Sequence, residues 1–147
     1  SRPHPLNLIC TMKVIVIYGS ANDKPFMEPA RVYFDEQHVS YEETVLSAHR
    51  DLPELMQYLQ DLENSGEKAV ILAVAGLSAA LPGVVVMSCS LPVIGVPVPG
   101  GPLNGIDALL AISQVPGGVP CTTVGLHKKA PVNAAMAAHR ILKLAAK

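Results

Sequence analysis

The feature that most constrains the fold of this chain is its regular alternation of apolar runs with segments of helical periodicity. Three runs, KVIVIY (13–18), AVILAVA (69–75) and PVIGVPV (92–98), consist almost entirely of apolar residues, mainly Val, Ile and Ala. Such continuity is expected of parallel strands that are covered on both faces, because a half-exposed strand would alternate apolar and polar residues. The runs YEETVL (41–46) and CTTVGL (121–126) are weaker candidates. We therefore expect five strands.

Amphipathic helices are expected between these strands. The clearest is PELMQYLQDLENSG (53–66), in which four large apolar side chains fall on one face: Leu55, Met56, Leu59 and Leu62. Before it, Asp51 followed by Glu54 resembles a capping box, and Gly66 favours the end of the helix. The pattern therefore predicts one helix with both of its ends defined.

Two further helices are predicted over NGIDALLAISQ (104–114) and PVNAAMAAHRILKLAAK (131–147). The helix after the first strand is harder to place, because Pro25 and Pro29 are too far apart to share one first turn. We expect that helix to start late or to be kinked.

A strand–helix alternation of this kind predicts an α/β fold, with a doubly wound parallel sheet and helices on both faces, in a single domain over residues 12–147. In such sheets ligands bind at the carboxyl ends of the strands. Five loops are expected at that edge, namely 19–25, 47–53, 75–83, 96–105 and 127–133.

Composition excludes several classes of protein. Half of the 147 residues are hydrophobic and 16% are charged, which excludes a disordered chain. Eleven basic and twelve acidic residues give a net charge of -1 without a basic run, so neither nucleic acid nor an anionic membrane is an expected partner. Apolar stretches are broken well before a membrane-spanning length. A small, neutral, soluble cytoplasmic domain is the resulting expectation.

The cysteine pattern and the absence of metal motifs indicate a protein without a disulfide framework or a metal site. Cys10, Cys89 and Cys121 are widely spaced and form no CxxC pair, so we expect reduced thiols and no metal site. With no Trp and four Tyr, a flavin sandwiched between aromatic planes is also not expected. Residues 1–11 precede Met12 and are interpreted as an upstream or expression-derived tail.

Polar residues in the first two loops are candidates for chemistry. Ser20 could bind an anion, and Asp23 could either cap a helix or accept hydrogen bonds from a sugar diol. Ser47 and Arg50 suit a phosphate, although a lone Arg is more often a surface ion pair. His49 could carry a proton near neutral pH, against the alternative of a structural or merely exposed histidine.

The remaining histidines are weaker candidates. His4 lies in the tail, His38 follows a helix and His139 is expected to face solvent from mid-helix. His127 lies at a strand end and could approach the crevice, but it lacks an obvious companion.

Taken in order, these loops resemble the PurE family of purine biosynthesis. The resemblance covers essentially all of residues 12–147. The segments that carry it are GSANDKPFM (19–27), LSAHR (46–50), AVAGLSAALPG (73–83), PVIGVPV (92–98), LNGIDALLAISQVPGGVP (103–120) and VNAAMAAHRIL (132–142).

The resemblance implies a flavodoxin-like three-layer α/β/α sandwich with a five-stranded parallel sheet, assembled as a homo-octamer with active sites at subunit contacts. It also implies N5-carboxyaminoimidazole ribonucleotide mutase activity, which moves a carboxylate from the exocyclic nitrogen to carbon 4 of the imidazole of aminoimidazole ribonucleotide. No ATP, metal or organic cofactor is implied.

Site roles follow from the same resemblance. It implies that Ser20, Ser47 and Arg50 hold the phosphate, that Asp23 binds the ribose hydroxyls and that His49 is the general acid and base. Four residues of the AGLSAALPG loop complete the expected substrate-binding set: Gly76, Ser78, Ala79 and Leu81. The small residues of this loop would let backbone approach the ligand closely.

One position departs from the family pattern. Class I members, the mutases, usually carry a histidine where this chain has Ala80, whereas class II members use carbon dioxide directly and read more like GRSNALSG. The loop GLSAALPG shares features with both classes, while SAHR and IGVPV favour class I. The alternatives are a class II-like carboxylase and a non-catalytic ribonucleotide-binding paralogue.

Overall fold

A computed structural model describes residues 12–147 and contains one parallel sheet. The spatial order of the strands is β2-β1-β3-β4-β5, so the chain turns back between β2 and β3 and the strand order reverses beside β1. The strands are β1 (Lys13–Tyr18), β2 (Tyr41–Val45), β3 (Ala69–Gly76), β4 (Val93–Val98) and β5 (Thr122–Thr123). A ligand crevice is expected at the carboxyl ends of strands next to such a reversal.

Helices connect every pair of consecutive strands. A 3-10 helix, Ala21–Met27, precedes the first α-helix. The α-helices are α1 (Glu28–Glu36), α2 (Leu52–Ser65), α3 (Leu81–Ser88), α4 (Ile106–Ser113) and α5 (Ala130–Ala145). Among the described residues, no helix is both long enough and apolar enough to cross a membrane.

Two apolar cores lie on opposite faces of the sheet and produce three layers. Alternate residues of β1 point to opposite sides, with Val14 and Val16 in one core and Ile15 and Ile17 in the other. The first core is covered by α1 and α5, and the second by α2, α3 and α4. Burial on both faces explains why β1, β3 and β4 are nearly continuous apolar runs.

The predicted flavodoxin-like α/β/α fold with five parallel strands is confirmed. The late start of the first helix is also confirmed, because Pro25 lies within the 3-10 helix and Pro29 occupies the first turn of α1. Gly66 ends α2 with a left-handed φ of 69°, as predicted. Pro131 lies in the first turn of α5.

Other sequence-based expectations are corrected. The fifth strand contains two residues instead of six, since it is an edge strand paired with β4 at only two positions, and Gly125 turns the chain away at φ 94°. Helix α3 had no counterpart among the predicted helices. Met56 is 43% exposed, whereas Leu55 and Leu59 are fully buried, so Met56 does not belong to the buried face of α2.

The predictions about residues 1–11, including Cys10 and His4, lie outside the described residues. Cys89 and Cys121 are free thiols that are half-buried, and burial raises the pKa of each. Their partial burial agrees with the expectation of reduced thiols, and a raised pKa makes a thiol a poor nucleophile.

Candidate active site

A cleft of about 560 Å³ lies at the carboxyl ends of β1, β2 and β3, next to the reversal of strand order. Its volume is within the range of small-molecule sites. The structure brings all nine sequence-predicted site residues to its wall: Ser20, Asp23, Ser47, His49, Arg50, Gly76, Ser78, Ala79 and Leu81. Three loops, each following a different strand, therefore converge on one site.

The first of these loops leaves β1 and enters the 3-10 helix through Ser20. Ser20 is the N-cap, and its Oγ accepts a hydrogen bond from the Asn22 N–H (3.2 Å). The Asp23 N–H donates to the Ser20 carbonyl oxygen (3.1 Å). Because the Ser20 oxygen accepts from the backbone, its hydroxyl hydrogen remains available to donate to a ligand.

Asp23 is therefore not the N-cap, which was one of its two sequence-based interpretations. It lies in the first turn of the 3-10 helix, and burial raises the pKa of its carboxyl above the ordinary value. Asp23 has no ion-pair partner among residues 12–147, and a half-buried carboxylate of this kind is a good acceptor for sugar hydroxyls, which can replace the water lost on burial.

The second loop is a compact turn that carries the candidate proton carrier. The Ser47 Oγ accepts hydrogen bonds from the backbone N–H groups of His49 (3.3 Å) and Arg50 (3.2 Å). The side chain of Asp51 closes the turn, since its Oδ2 accepts from the Ser47 N–H (3.0 Å) while the Asp51 N–H donates to the Ser47 carbonyl (2.8 Å). The predicted capping box is wrong, because Asp51 makes no side-chain cap to α2.

His49 and Arg50 are exposed at the rim of the cleft. Arg50 has no ion-pair partner among residues 12–147, so the alternative of a surface ion pair is not supported. An unpaired guanidinium beside two serine hydroxyls is suited to binding a phosphate dianion through charge-assisted hydrogen bonds.

The third loop follows β3 and brings backbone close to the cleft. Leu77 has a left-handed φ of 53°, which is unusual for a residue with a branched side chain. Helix α3 begins at Leu81 behind Ala80, whose methyl group cannot cap the helix. Leu81, the first residue of α3, lines the cleft, and no side chain caps this helix end, so the helix dipole favours negative charge there.

The two other loops that were expected at this edge do not line the cleft. Neither 96–105 nor 127–133 contributes to its wall, and His127 uses its Nδ1 to accept a hydrogen bond from the Lys129 N–H (3.2 Å). His139 is not solvent-facing as predicted, since its Nδ1 lies 2.8 Å from the Tyr33 hydroxyl, and burial lowers its pKa. No cluster of side chains able to hold a metal occurs within residues 12–147.

Residues outside the predicted set also line the cleft. Asn22 lies between Ser20 and Asp23, and its position in the same loop could have identified it as a wall residue from the sequence. Leu77 and Ala80 come from the third loop, and the remaining wall residues are Gly19, Ala48 and Ala75. These small residues leave space next to the polar groups, and nothing in the local sequence separates them from ordinary loop residues.

The chain is similar to several known proteins over most of its length. The family model described as AIR carboxylase matches residues 13–147. The chain is 48% identical over 130 residues to the N5-carboxyaminoimidazole ribonucleotide mutase of Saccharolobus solfataricus, covering 88% of this chain and 80% of that protein. It is 45% identical to the mutase of Bacillus subtilis, covering 86% and 78%.

A carboxylase is also among the relatives. The phosphoribosylaminoimidazole carboxylase of Schizosaccharomyces pombe is 44% identical over 86% of this chain, which covers 22% of that longer protein. The fold resembles the crystal structure of Treponema denticola PurE, with a TM-score of 0.81 and 26% identity over 90% of this chain and 81% of that one. Since the family model spans the sheet, the helices and all three loops of the cleft, the chain belongs to the AIR carboxylase family.

Proposed function

We propose that this protein is an N5-carboxyaminoimidazole ribonucleotide mutase of purine biosynthesis. The observation that carries the proposal is the convergence of Ser20, Asp23, His49 and Arg50 on one cleft. The names of relatives that are 43–48% identical over most of the chain support the same reaction.

The phosphate of the ribonucleotide binds between the first two loops. Ser20 and Ser47 donate their hydroxyl hydrogens, because the oxygen of each already accepts from backbone N–H groups. Arg50 supplies the positive charge, and the carboxylate of Asp23 accepts hydrogen bonds from the ribose hydroxyls. The nucleotide is thereby held by its phosphate and its ribose, which leaves its imidazole ring beside His49 and the third loop.

His49 acts as both acid and base. Its protonated ring donates to the exocyclic nitrogen as the carbamate C–N bond breaks and carbon dioxide is released. Carbon 4 then attacks the carbon dioxide, and the neutral ring removes the proton from carbon 4. The proton count is unchanged over the cycle, so one imidazole is sufficient. The uncapped N-terminus of α3 stabilises the negative charge of the carboxylate during the transfer.

We propose that neighbouring copies of the chain close the cleft, in an assembly that is an octamer. His49 and Arg50 are exposed in the single chain, and carbon dioxide would escape from an open cleft. Leu103, in the turn before α4, and Ile106 and Leu110, on α4, are each about half exposed, which gives this end of the helix an apolar surface available for a second copy. The free thiols of Cys89 and Cys121 support a cytoplasmic location.

The decisive assay gives the purified protein N5-carboxyaminoimidazole ribonucleotide in one reaction, and aminoimidazole ribonucleotide with bicarbonate in another. Formation of the carbon-4 carboxylate from the carbamate, at a rate independent of added bicarbonate, is the expected result. Activity that follows dissolved carbon dioxide instead would identify a carboxylase, the alternative that Ala80 and the Schizosaccharomyces pombe relative favour. Saturable binding of both nucleotides without conversion would identify a non-catalytic paralogue.

Two variants assign the roles within that assay. His49→Asn is expected to abolish turnover while ligand binding changes little, because the amide cannot carry a proton. Arg50→Ala is expected to weaken binding of the phosphate-bearing ligand about tenfold or more, the effect of one lost charge-assisted hydrogen bond. Arg140→Ala, on the exposed face of α5, is the matched control and should change neither quantity.

A further inference from the structure

Arg31, on α1, makes contacts on both sides of the cleft segment that contains Ser20 and Asp23. Its Nη1 donates to the hydroxyl of Tyr18 (3.1 Å), the last residue of β1 before the segment. Its Nη2 donates to the carbonyl oxygen of Lys24 (2.9 Å), the residue directly after Asp23. One guanidinium thus joins the two ends of residues 19–23.

We propose that Arg31 is a positioning residue for the ribonucleotide site, acting through Asp23 without touching the ligand. This inference rests on the proposed function for its ligand and adds a residue that the family resemblance and the comparisons do not assign. Arg31 does not line the cleft.

The segment needs such support because of its own backbone. The 3-10 helix Ala21–Met27 has seven residues, whereas 3-10 runs longer than three or four are uncommon because their hydrogen bonds are poorly aligned. Pro25 also removes one backbone donor from it. Among the described residues, the side chains that bond to its backbone are those of Ser20 and Arg31.

Arg31 is itself held by a partly buried network. Its Nη1 also donates to Glu43 Oε2 (3.1 Å), and the Tyr18 hydroxyl donates to the same oxygen. Its Nε donates to Glu28 (2.9 Å). The Arg31 side chain is 20% exposed, and Tyr18 is fully buried. A surface pair between neighbours on a helix would not need contacts to β1, β2 and the 3-10 helix, so a role limited to pairing with Glu28 does not account for this geometry.

Arg31→Met tests the proposal, because methionine keeps much of the stem and removes every donor. Amide hydrogen exchange at residues 22–24 should accelerate about tenfold or more, corresponding to the loss of one charged hydrogen bond. In the mutase assay, KM for the carbamate ribonucleotide should rise about tenfold while kcat changes less than about threefold, because the reacting groups are untouched. Arg140→Met is the matched control and should leave both measurements unchanged.

A double-mutant cycle shows whether Arg31 acts through Asp23. In an Asp23→Asn background, Arg31→Met should raise KM less than about twofold, because the carboxylate that Arg31 positions is already gone. If Arg31→Met does not fold, Arg31→Lys carries the same test, since its single ammonium keeps the charge but cannot reach the Lys24 carbonyl and the Glu43 carboxylate together.

Unchanged exchange at residues 22–24 would overturn the proposal, whatever the activity. Faster amide exchange in Arg31→Met with an unchanged KM would overturn the link to Asp23. A rise in KM of the same size in the Asp23 and the Asp23→Asn backgrounds would overturn it as well. If the unmutated protein shows no turnover of the carbamate, the proposed function fails. The exchange measurement then decides by itself whether Arg31 holds the segment.

Discussion

Replacing Asp51 by alanine is expected to loosen the turn that carries His49. The Asp51 carboxylate accepts the Ser47 N–H at 3.0 Å, and Ser47 in turn accepts the backbone N–H groups of His49 and Arg50. Loss of the carboxylate removes the hydrogen bond to the Ser47 N–H. Ser47, which accepts the other two bonds, is then less restrained. The perturbation is two residues from the imidazole and leaves the side chains of Ser47, His49 and Arg50 intact.

The size of the effect follows from the type of bond. A hydrogen bond to a charged group contributes about 1.5–3 kcal/mol, and the lower end applies here because the turn is only partly buried. For a chain of this size, about 1.5 kcal/mol corresponds to a fall in Tm of about 3–6 °C. If the same free energy holds the turn in its productive form, kcat/KM falls about tenfold.

The measurement combines thermal unfolding with the mutase assay at a temperature well below both midpoints. Asp51→Asn keeps an oxygen acceptor and should retain most of the activity, and Asp61→Ala removes an exposed carboxylate that accepts from Gln57 on α2, far from the turn. A Tm loss of the expected size with kcat/KM unchanged within twofold would refute the reasoning. It would show that Asp51 stabilises the folded chain without shaping the position of His49.

Three further outcomes are expected. Asp23→Asn should raise Tm at pH 7 while weakening ribonucleotide binding. Burial raises the carboxyl pKa, so ionisation opposes folding, and the gain should vanish as the pH falls below the unfolded-state pKa of about 4; an equal gain at pH 3 and pH 7 would contradict this. Burial lowers the pKa of His139, so its contribution to stability should be full above about pH 6.5 and decline below it; His139→Gln, which keeps a partner for Tyr33, should remove that decline in Tm. Gly95→Ala should cost about 1–3 kcal/mol in chemical denaturation, because its Cβ would lie 2.7 Å from Ile112 Cγ2; Ile112→Ala in the same chain should recover part of that cost, and an additive loss would contradict the clash.

Local pattern was sufficient for the buried strands and misleading for α3. The continuous runs of β1, β3 and β4 are typical of parallel strands covered on both faces, and the structure confirms this prediction. Helix α3 contains Val84, Val85 and Val86, and consecutive β-branched residues disfavour a helix in isolation. It forms because Val85 and Leu81 are buried against the sheet, and packing of this kind overrides propensity.

Side-chain partners were the other element that local sequence could not provide. Asp51 and Glu54 have the spacing of a capping box. In the structure, however, the Asp51 carboxylate accepts a hydrogen bond from the Ser47 N–H instead of capping α2. His139 was expected to face solvent because it lies in mid-helix beside Arg140, whereas the hydroxyl of Tyr33, more than a hundred residues earlier, lies within hydrogen-bond distance of its ring across the α1–α5 contact. Neither hydrogen-bond partner could be predicted from the local sequence pattern, because each depends on how the folded backbone places the two groups.

The layered α/β fold, the five strands and the family could be predicted from the sequence, because hydrophobic period and ordered loop motifs are properties of consecutive residues. Which loops form the cleft depends on the folded arrangement, since three of five strand-end loops meet beside the reversal of strand order and the other two do not line the cleft. The folded arrangement also places Arg31 across the segment that bears Asp23. LSAHR could be recognised along the chain, whereas the contacts that hold its partners in place exist only after folding.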